Sequence, residues 1–378
     1  MNLLTKAALQ QAMNQRDLSN PDEGPHAIQL LIEEVADALH KSWGIQTHIY
    51  RESPIVSIAD NYDRLRYPAD GPARAARYTR YVCDTALLRT STTAMIPHAM
   101  QHLEPQLHGN DLIICPGLVY RRDCIDRLHL AEIHQMDVWR ICQKPMKDED
   151  MLEMIQIVIN KLLPGRDYRL EKRVHPYTLN GLQIDVLDEG NWIEVGECGL
   201  AHPDLLSENL TVGDRLSGLA MGLGLDRILM LRKKMHDIRL VASSHPKIAV
   251  QMQNLTPYQP ISSMPAVKRD LSLVVADTMD EEQIGAKVRE SLGETAALIE
   301  RLEVRAESHY RELSDHVRKK LALRPHQKNL LLRVVLQALD RSLTDESCNQ
   351  YRDQIYACLH EGEIWEWATP PKKQQSTT

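Results

Sequence analysis

Two apolar stretches, ICPGLVYRR at 114–122 and HQMDVWRIC at 134–142, flank the polar segment DCIDRLHLAEI. This pattern reads as two strands joined by a long loop and paired antiparallel. A hairpin of that length commits its surroundings to a sheet that helices must cover. More strands follow in RDYRLEKRV, GLQIDVL and NWIEVGECG, with Asp188-Glu189-Gly190-Asn191 as the turn between the last two. Helical spacing of Ile28, Leu31, Ile32, Val35 and Leu39 predicts a helix over 24–43, begun by Gly24-Pro25 and ended by Gly44. Residues 148–163 also read as a helix. SGLAMGLGLDRILMLRKKM begins glycine-rich, as a strand meets a helix, and becomes amphipathic.

The segment NLTPYQPISSMP, rich in Pro, Ser and polar residues, reads as a linker at 251–264. After it DLSLVV, ALIERLEVRAE and KNLLLRVVLQA read as strands, with helices from DEEQIGAKVRESL and from about 342 to 360. IWEW at 364–367 is read as a fourth strand. The order βαββαβ is that of the ferredoxin-like split. The expected organisation is a first domain over 1–250, the linker, a second domain over 265–368, and a disordered tail over 369–378. The fold class is α+β.

No run of 18 or more apolar residues occurs, and the N-terminus lacks the regions of a secretory signal, so an intracellular, cytoplasmic protein is expected. The seven cysteines are scattered singly with no CxxC pair, which indicates neither a zinc knuckle nor a disulfide framework, and no metal ligand is expected among them. A net charge of −7 does not announce a nucleic-acid partner, so any RNA contact must use a local basic surface. Arg318, Lys319, Lys320, Arg324 and Lys328 cluster before the third strand of the second domain and read as a solvated loop or an RNA contact.

Phenylalanine is absent from all 378 residues, whereas Tyr (12), Trp (5) and Met (14) are present. Ordinary usage would supply on the order of a dozen. Apolar swaps at such positions cost little in packing, but packing does not demand all of them. A chain without Phe can be made when Phe-tRNA is scarce or mischarged.

GLVYRRDCIDRLHLAEIHQMD resembles motif 2 of the phenylalanyl-tRNA synthetases, in which an aromatic-Arg-x-acid core leads to a D-x-x-H loop and a His-Gln-x-Glu strand. Tyr120, Arg121, Asp123, Asp126, His129, His134, Gln135 and Asp137 fall on those positions, with Asp137 in place of the usual Glu. GLAMGLGLDRILML resembles motif 3, which makes Arg227 its arginine. The resemblance implies a class II synthetase sheet flanked by helices. It gives ATP to Arg121, Asp123, His129 and Arg227, with Arg121 and Arg227 the catalytic pair at the two ends of the triphosphate, assisted by Mg²⁺.

Leu88–Ala94 matches the family's LRTHTS segment, so that Ser91 and Thr93, with Gln135 and Asp137, would hold the amino-acid ammonium end. His175-Pro176-Tyr177 aligns with the F-P-F or N-P-Y segment that walls the side-chain pocket, and Ala220 with the small residue at its bottom. Departures from the family pattern stand at Gly71, Arg77 and Tyr78. Met264–Leu271 and Asp340–Glu346 resemble the ferredoxin-fold anticodon-binding domain, which makes Lys268, Arg269 and Arg341 candidates for tRNA contact. The implied function is activation of phenylalanine, or a close aromatic analogue, and its transfer to tRNA(Phe) by a monomer of the single-chain organellar type. Two alternatives stay open: an adenylate-forming enzyme with a non-tRNA acceptor, and a catalytically silent tRNA-binding paralogue.

Overall fold

In the computed structural model, residues 3–75, 78–122, 124–261, 265–339 and 341–368 are described. Arg77, Asp123, Met264, Asp340 and the tail 369–378, all singled out by the sequence, lie outside them. The chain divides into two units, 1–121 with 132–258, and 122–131 with 259–378.

The first unit contains α1 (Lys6–Met13), α2 (Ala27–Trp43), β1 (Gln46–Ile49), β2 (Ile55–Ser57), β3 (Tyr81–Cys83), β4 (Ala86–Leu88), α3 (Ile96–Leu103), β5 (Asn110–Tyr120) and β6 (Glu132–Cys142). It continues with α4 (Asp148–Leu162), β7 (Tyr168–Lys172), β8 (Thr178–Asp188), β9 (Asn191–Ala201), α5 (Pro203–Asn209), β10 (Ser217–Gly224), α6 (Leu225–Arg232) and α7 (Pro246–Ala249). Its main sheet has the order β1-β5-β6-β10-β9-β8-β7, antiparallel except for the β1–β5 pair.

The sheet forms because its central strands are apolar on both faces. In β5 every residue from Asp111 to Tyr120 is buried, which explains its unbroken hydrophobic run. The α2 stripe of Ile28, Leu31, Ile32, Val35 and Leu39 is buried as its spacing predicts. Each such side chain contributes about 1.5–3 kcal/mol. Gly44 ends α2 in the left-handed region at φ 62°, and the His26 side chain accepts from Ile28 N at its start. Between β8 and β9, Glu189 and Gly190 take φ 46° and 82°, the two positive values of a tight hairpin turn.

After α6 the Lys233 side chain is fully buried and donates to the carbonyls of Asn254 (2.8 Å) and Thr256 (2.6 Å). Burial lowers its ammonium to about 8. The start of the expected linker is therefore tied down, and 250–253 form a turn of 3₁₀ helix.

The second unit contains β11 (Val267–Ala276), α8 (Glu281–Leu292), β12 (Ile299–His309), α9 (Asp315–Lys320), β13 (Gln327–Leu336) and α10 (Asp345–Leu359), its sheet ordered β11-β13-β12. Asp280 and Gln283 cap α8 reciprocally, and Thr344 caps α10. Leu271, Leu273, Val288, Leu332, Val334 and Ile355 form the centre of its core. Ile125, from the segment 122–131, belongs to that core: its carbonyl accepts from Leu302 N (2.8 Å), and the Cys124 carbonyl accepts from Arg289 (2.6 Å).

Two expectations change here. IWEW forms no strand. Its Trp365 instead packs against Tyr356 and His360, with ring centroids 5.7 and 5.1 Å apart, and the Glu366 amide donates to the Tyr356 hydroxyl. Aromatic packing and that side-chain acceptor replace ladder bonds. The basic run is a loop only in part: Arg318, Lys319 and Lys320 end α9, where cations oppose the helix dipole favourably, Arg324 lies in the loop after it, and Lys328 is buried in β13 against Glu307 (2.9 Å).

Candidate active site

Directly opposed residues of antiparallel strands share a face of the sheet. Cys115, Asp137, Gly222 and Glu197 therefore form one row across β5, β6, β10 and β9. One step along, Gly117 opposes Gln135, which opposes Gly224. One step the other way, Trp139 opposes Ala220, which opposes Gly199. The floor of this face is thus largely bare main chain, with Gln135, Asp137 and Glu197 standing up from it. A Cβ on Gly222 would meet only Asp137 Oδ2, at 3.9 Å. Gly117 is bare for a different reason: its Cβ would lie 2.1 Å from Nη2 of Arg89, a buried arginine that donates to the Leu118 and Glu52 carbonyls.

Asp137 is 3% exposed and accepts from Thr92 (2.7 Å), Thr93 (3.1 Å) and the Trp139 indole (3.1 Å). Burial raises its carboxyl to about 6, against these three bonds, which favour the anion. The Ser91 hydroxyl caps the turn at 92–95 by accepting from Thr93 N (3.2 Å) and meets the Thr93 hydroxyl at 2.7 Å. Ser91, Thr93, Gln135 and Asp137 thus lie along one side of the glycine floor.

On the other side, His175 Nε2 lies 2.7 Å from Glu197 Oε2, and the Tyr177 ring sits 5.4 Å from the His175 ring and 6.3 Å from those of Trp139 and Tyr67. Ala220 is buried in the same cluster as Trp139 and Tyr177. Burial, with Glu197 nearby, holds the Tyr67 hydroxyl up at about 12, and burial beside Tyr67, Asp137 and Glu197 raises the Tyr177 hydroxyl well above its ordinary value.

Arg121 follows β5, and its Nε donates to the Thr90 carbonyl (2.9 Å); Thr90 is held by Asn61 on both its amide and its hydroxyl. Arg227 projects from the first turn of α6 and donates to the Glu194 carbonyl (3.1 Å). Beside it Asp226, 2% exposed, accepts from the His134 amide (2.5 Å) and pairs with its Nδ1 (3.1 Å), while His134 Nε2 accepts from Leu18 N (3.0 Å). Through these contacts the His134 imidazole locks β6, α6 and the N-terminal segment together.

His129 belongs to the second unit, where its Nδ1 lies 2.7 and 2.8 Å from the two Asp126 oxygens. Cys124, Asp126 and His129 offer a thiol, a carboxylate and an imidazole within 4.8 Å of one another. Such a set suits a softer ion than Mg²⁺, and scattered cysteines gave no hint of it. Of the tRNA-contact candidates, Lys268 and Arg341 are exposed, while Arg269 is engaged with Asp345 (2.7 Å) and Asn349 (2.9 Å).

The sequence reading passed over Thr92, Trp139, Glu197 and Asp226. Glu197 was findable: of the two carboxylates in the strand NWIEVGECG it is the one that alternates with Gly199, on the face of the site. Thr92 and Asp226 adjoin residues that were named, but only the fold places their side chains.

Residues 14–252 match the class II core domain (F) of tRNA synthetases, and 262–362 match the ferredoxin-fold anticodon binding domain. The phenylalanine--tRNA ligase alpha subunit of Chromobacterium violaceum is 34% identical over 57% of this chain and 64% of its own length. The chain thus spans less than two thirds of that relative. The chloroplastic/mitochondrial phenylalanine--tRNA ligase of Arabidopsis thaliana is 26% identical over 87% of this chain and 75% of its own. A solved pyrrolysyl-tRNA synthetase from Desulfitobacterium hafniense aligns at 18% identity with a TM-score of 0.44, over 63% of this chain and 78% of its own. Among the described residues no helix is long and apolar enough to cross a membrane. With a core match covering more than half its length, the chain belongs to the class II tRNA synthetases of the core-domain (F) family and carries a ferredoxin-fold anticodon-binding domain in the same polypeptide.

Proposed function

We propose that the protein activates phenylalanine or a close aromatic analogue with ATP and transfers it to tRNA(Phe), acting as a cytoplasmic monomer. Residues 1–250 would serve as the catalytic domain, 251–264 as the linker and 265–368 as the anticodon-binding domain, with Lys268, Arg269 and Arg341 towards the tRNA. The observation that carries this reading is the glycine floor between Asp137 and Glu197, with Arg121 tied to Thr90 next to Ser91. A flat bare floor admits a planar ring and a nucleotide where side chains would exclude them.

The substrate ammonium would lie at Asp137, Thr93, Ser91 and Gln135, and its ring beside Tyr177 and His175, near Ala220. Its carboxylate, already ionised, attacks the α-phosphorus and the bond to pyrophosphate breaks, so no general base is needed. Arg121 stabilises charge at the α-phosphate, and Arg227 at the departing end. In the second step a tRNA hydroxyl attacks the acyl carbon and AMP leaves. By the family resemblance, His129 and Asp123 are further candidates for ATP. Mg²⁺, when bound, neutralises phosphate charge; the Cys124, Asp126 and His129 set does not suit it, so no step is assigned to a protein-held ion.

Amino-acid-dependent ATP–pyrophosphate exchange tests the reading. Phenylalanine or an aromatic analogue should support exchange, and Arg121→Ala or Arg227→Ala should lower it about 10²–10³-fold with circular dichroism and melting unchanged. Full exchange in both variants would remove the assignment.

A further inference from the structure

The wall facing the ring is polar, and that bears on which ring it accepts. Asp137 and Glu197 stand on either side of bare Gly222, two strand spacings or about 10 Å apart. Asp137 is already held by two threonines and an indole. At the far end, Glu197 pairs with His175 at 2.7 Å, and Arg173 Nε lies 3.7 Å from its other oxygen. Trp139, Tyr177 and Ala220 pack in one cluster, and a ring lying across the floor from Asp137 reaches the His175–Glu197 pair beside it. A plain phenyl edge would displace water from the remaining face of this half-buried carboxylate and offer no donor in its place.

We propose that the preferred substrate is an aromatic amino acid whose ring carries a hydrogen-bonding substituent, most simply a phenolic hydroxyl, placed against Glu197 Oε1, the carboxylate oxygen that His175 does not occupy. The hydroxyl donates to the Glu197 carboxylate. This rests on the aromatic amino-acid activation proposed above and narrows it.

A second, independent observation agrees. A synthetase that loads a substituted ring onto a tRNA read at phenylalanine codons alters every phenylalanine position in the proteins then made. This chain has none in 378 residues, so its own synthesis is untouched by its product.

The test is pyrophosphate exchange by the full chain with L-phenylalanine, L-tyrosine, L-meta-tyrosine and 4-amino-L-phenylalanine, compared by kcat/KM. At least one substituted ring should exceed phenylalanine by tenfold or more, since sites built to bond a hydroxyl reject the analogue lacking it strongly. Which one leads separates a phenol from an amine, and para from meta. His175→Phe with Glu197→Ala should erase that preference and raise the phenylalanine value. Parity, or a preference for phenylalanine, in the unaltered protein overturns the inference and leaves the proposed function standing. No exchange with any of the four, in protein that binds ATP, overturns the function beneath it as well.

Discussion

Asp137 joins the fold to the chemistry, and its titration is measurable. Burial raises its folded-state value to about 6 from an ordinary 3.8, so the folded protein holds this proton more tightly than the unfolded chain does. Its ionised form therefore costs stability above about 6, and that cost is relieved as pH falls through 6 towards 4. Ammonium binding has the opposite demand, because it needs the anion. KM for the amino acid should rise as pH falls below about 6. Asp137→Asn should raise KM roughly 10–100-fold at neutral pH, the weight of a charge-assisted bond, and abolish that acidic limb. A pH profile of the variant that keeps the limb would assign it to another group. Asp137, Gln135 and Arg121 stand out in the sequence because they fall on the motif it resembles, and the fold sets Gln135 and Asp137 on one face of β6. Asp226 does not: its bonds to His134, 92 positions away in the chain, exist only after β6 and α6 pack.

The facing glycines of β10 and β9 differ in what they permit, and this separates function from folding. Gly222→Ala meets nothing nearer than 3.9 Å, so melting should shift by no more than a few degrees. Its methyl nevertheless occupies the floor between the two carboxylates, and exchange activity should fall at least tenfold. A variant with full activity would move the substrate off this floor. By contrast a Cβ on Gly196 would lie 2.4 Å from the Gly222 carbonyl, a clash with backbone that cannot yield. Elements with strong alternation or long apolar runs, such as β5, β6, β8 and β9, were legible because burial on one or both faces writes itself into the residue pattern. IWEW carried the same β-prone composition, yet its aromatic rings found partners on α10 and its backbone found a tyrosine hydroxyl. Residue preference alone does not say which of two available partners wins.

Across the whole chain, the break near 250–264 was visible as a run of turn-forming residues, but the grouping of 122–131 with the second unit was not. The ten residues between two strands read as part of a long loop, and Ile125 was one of several apolar residues among them. Its burial depends on β12 and α8, which come more than 150 positions later. A fragment ending at Tyr258 should keep the melting of its own core, yet lose the donors from Leu302 and Arg289 to the Ile125 and Cys124 carbonyls. Amide exchange across 122–131 should then speed up at least tenfold relative to the full chain; unchanged protection would mean that the segment orders itself. The C-terminal domain is consequently not an interchangeable cassette. Grafting it from another relative at the linker would transplant a core with one strut missing, and a working chimaera needs a second splice that carries the ten residues 122–131 along with it.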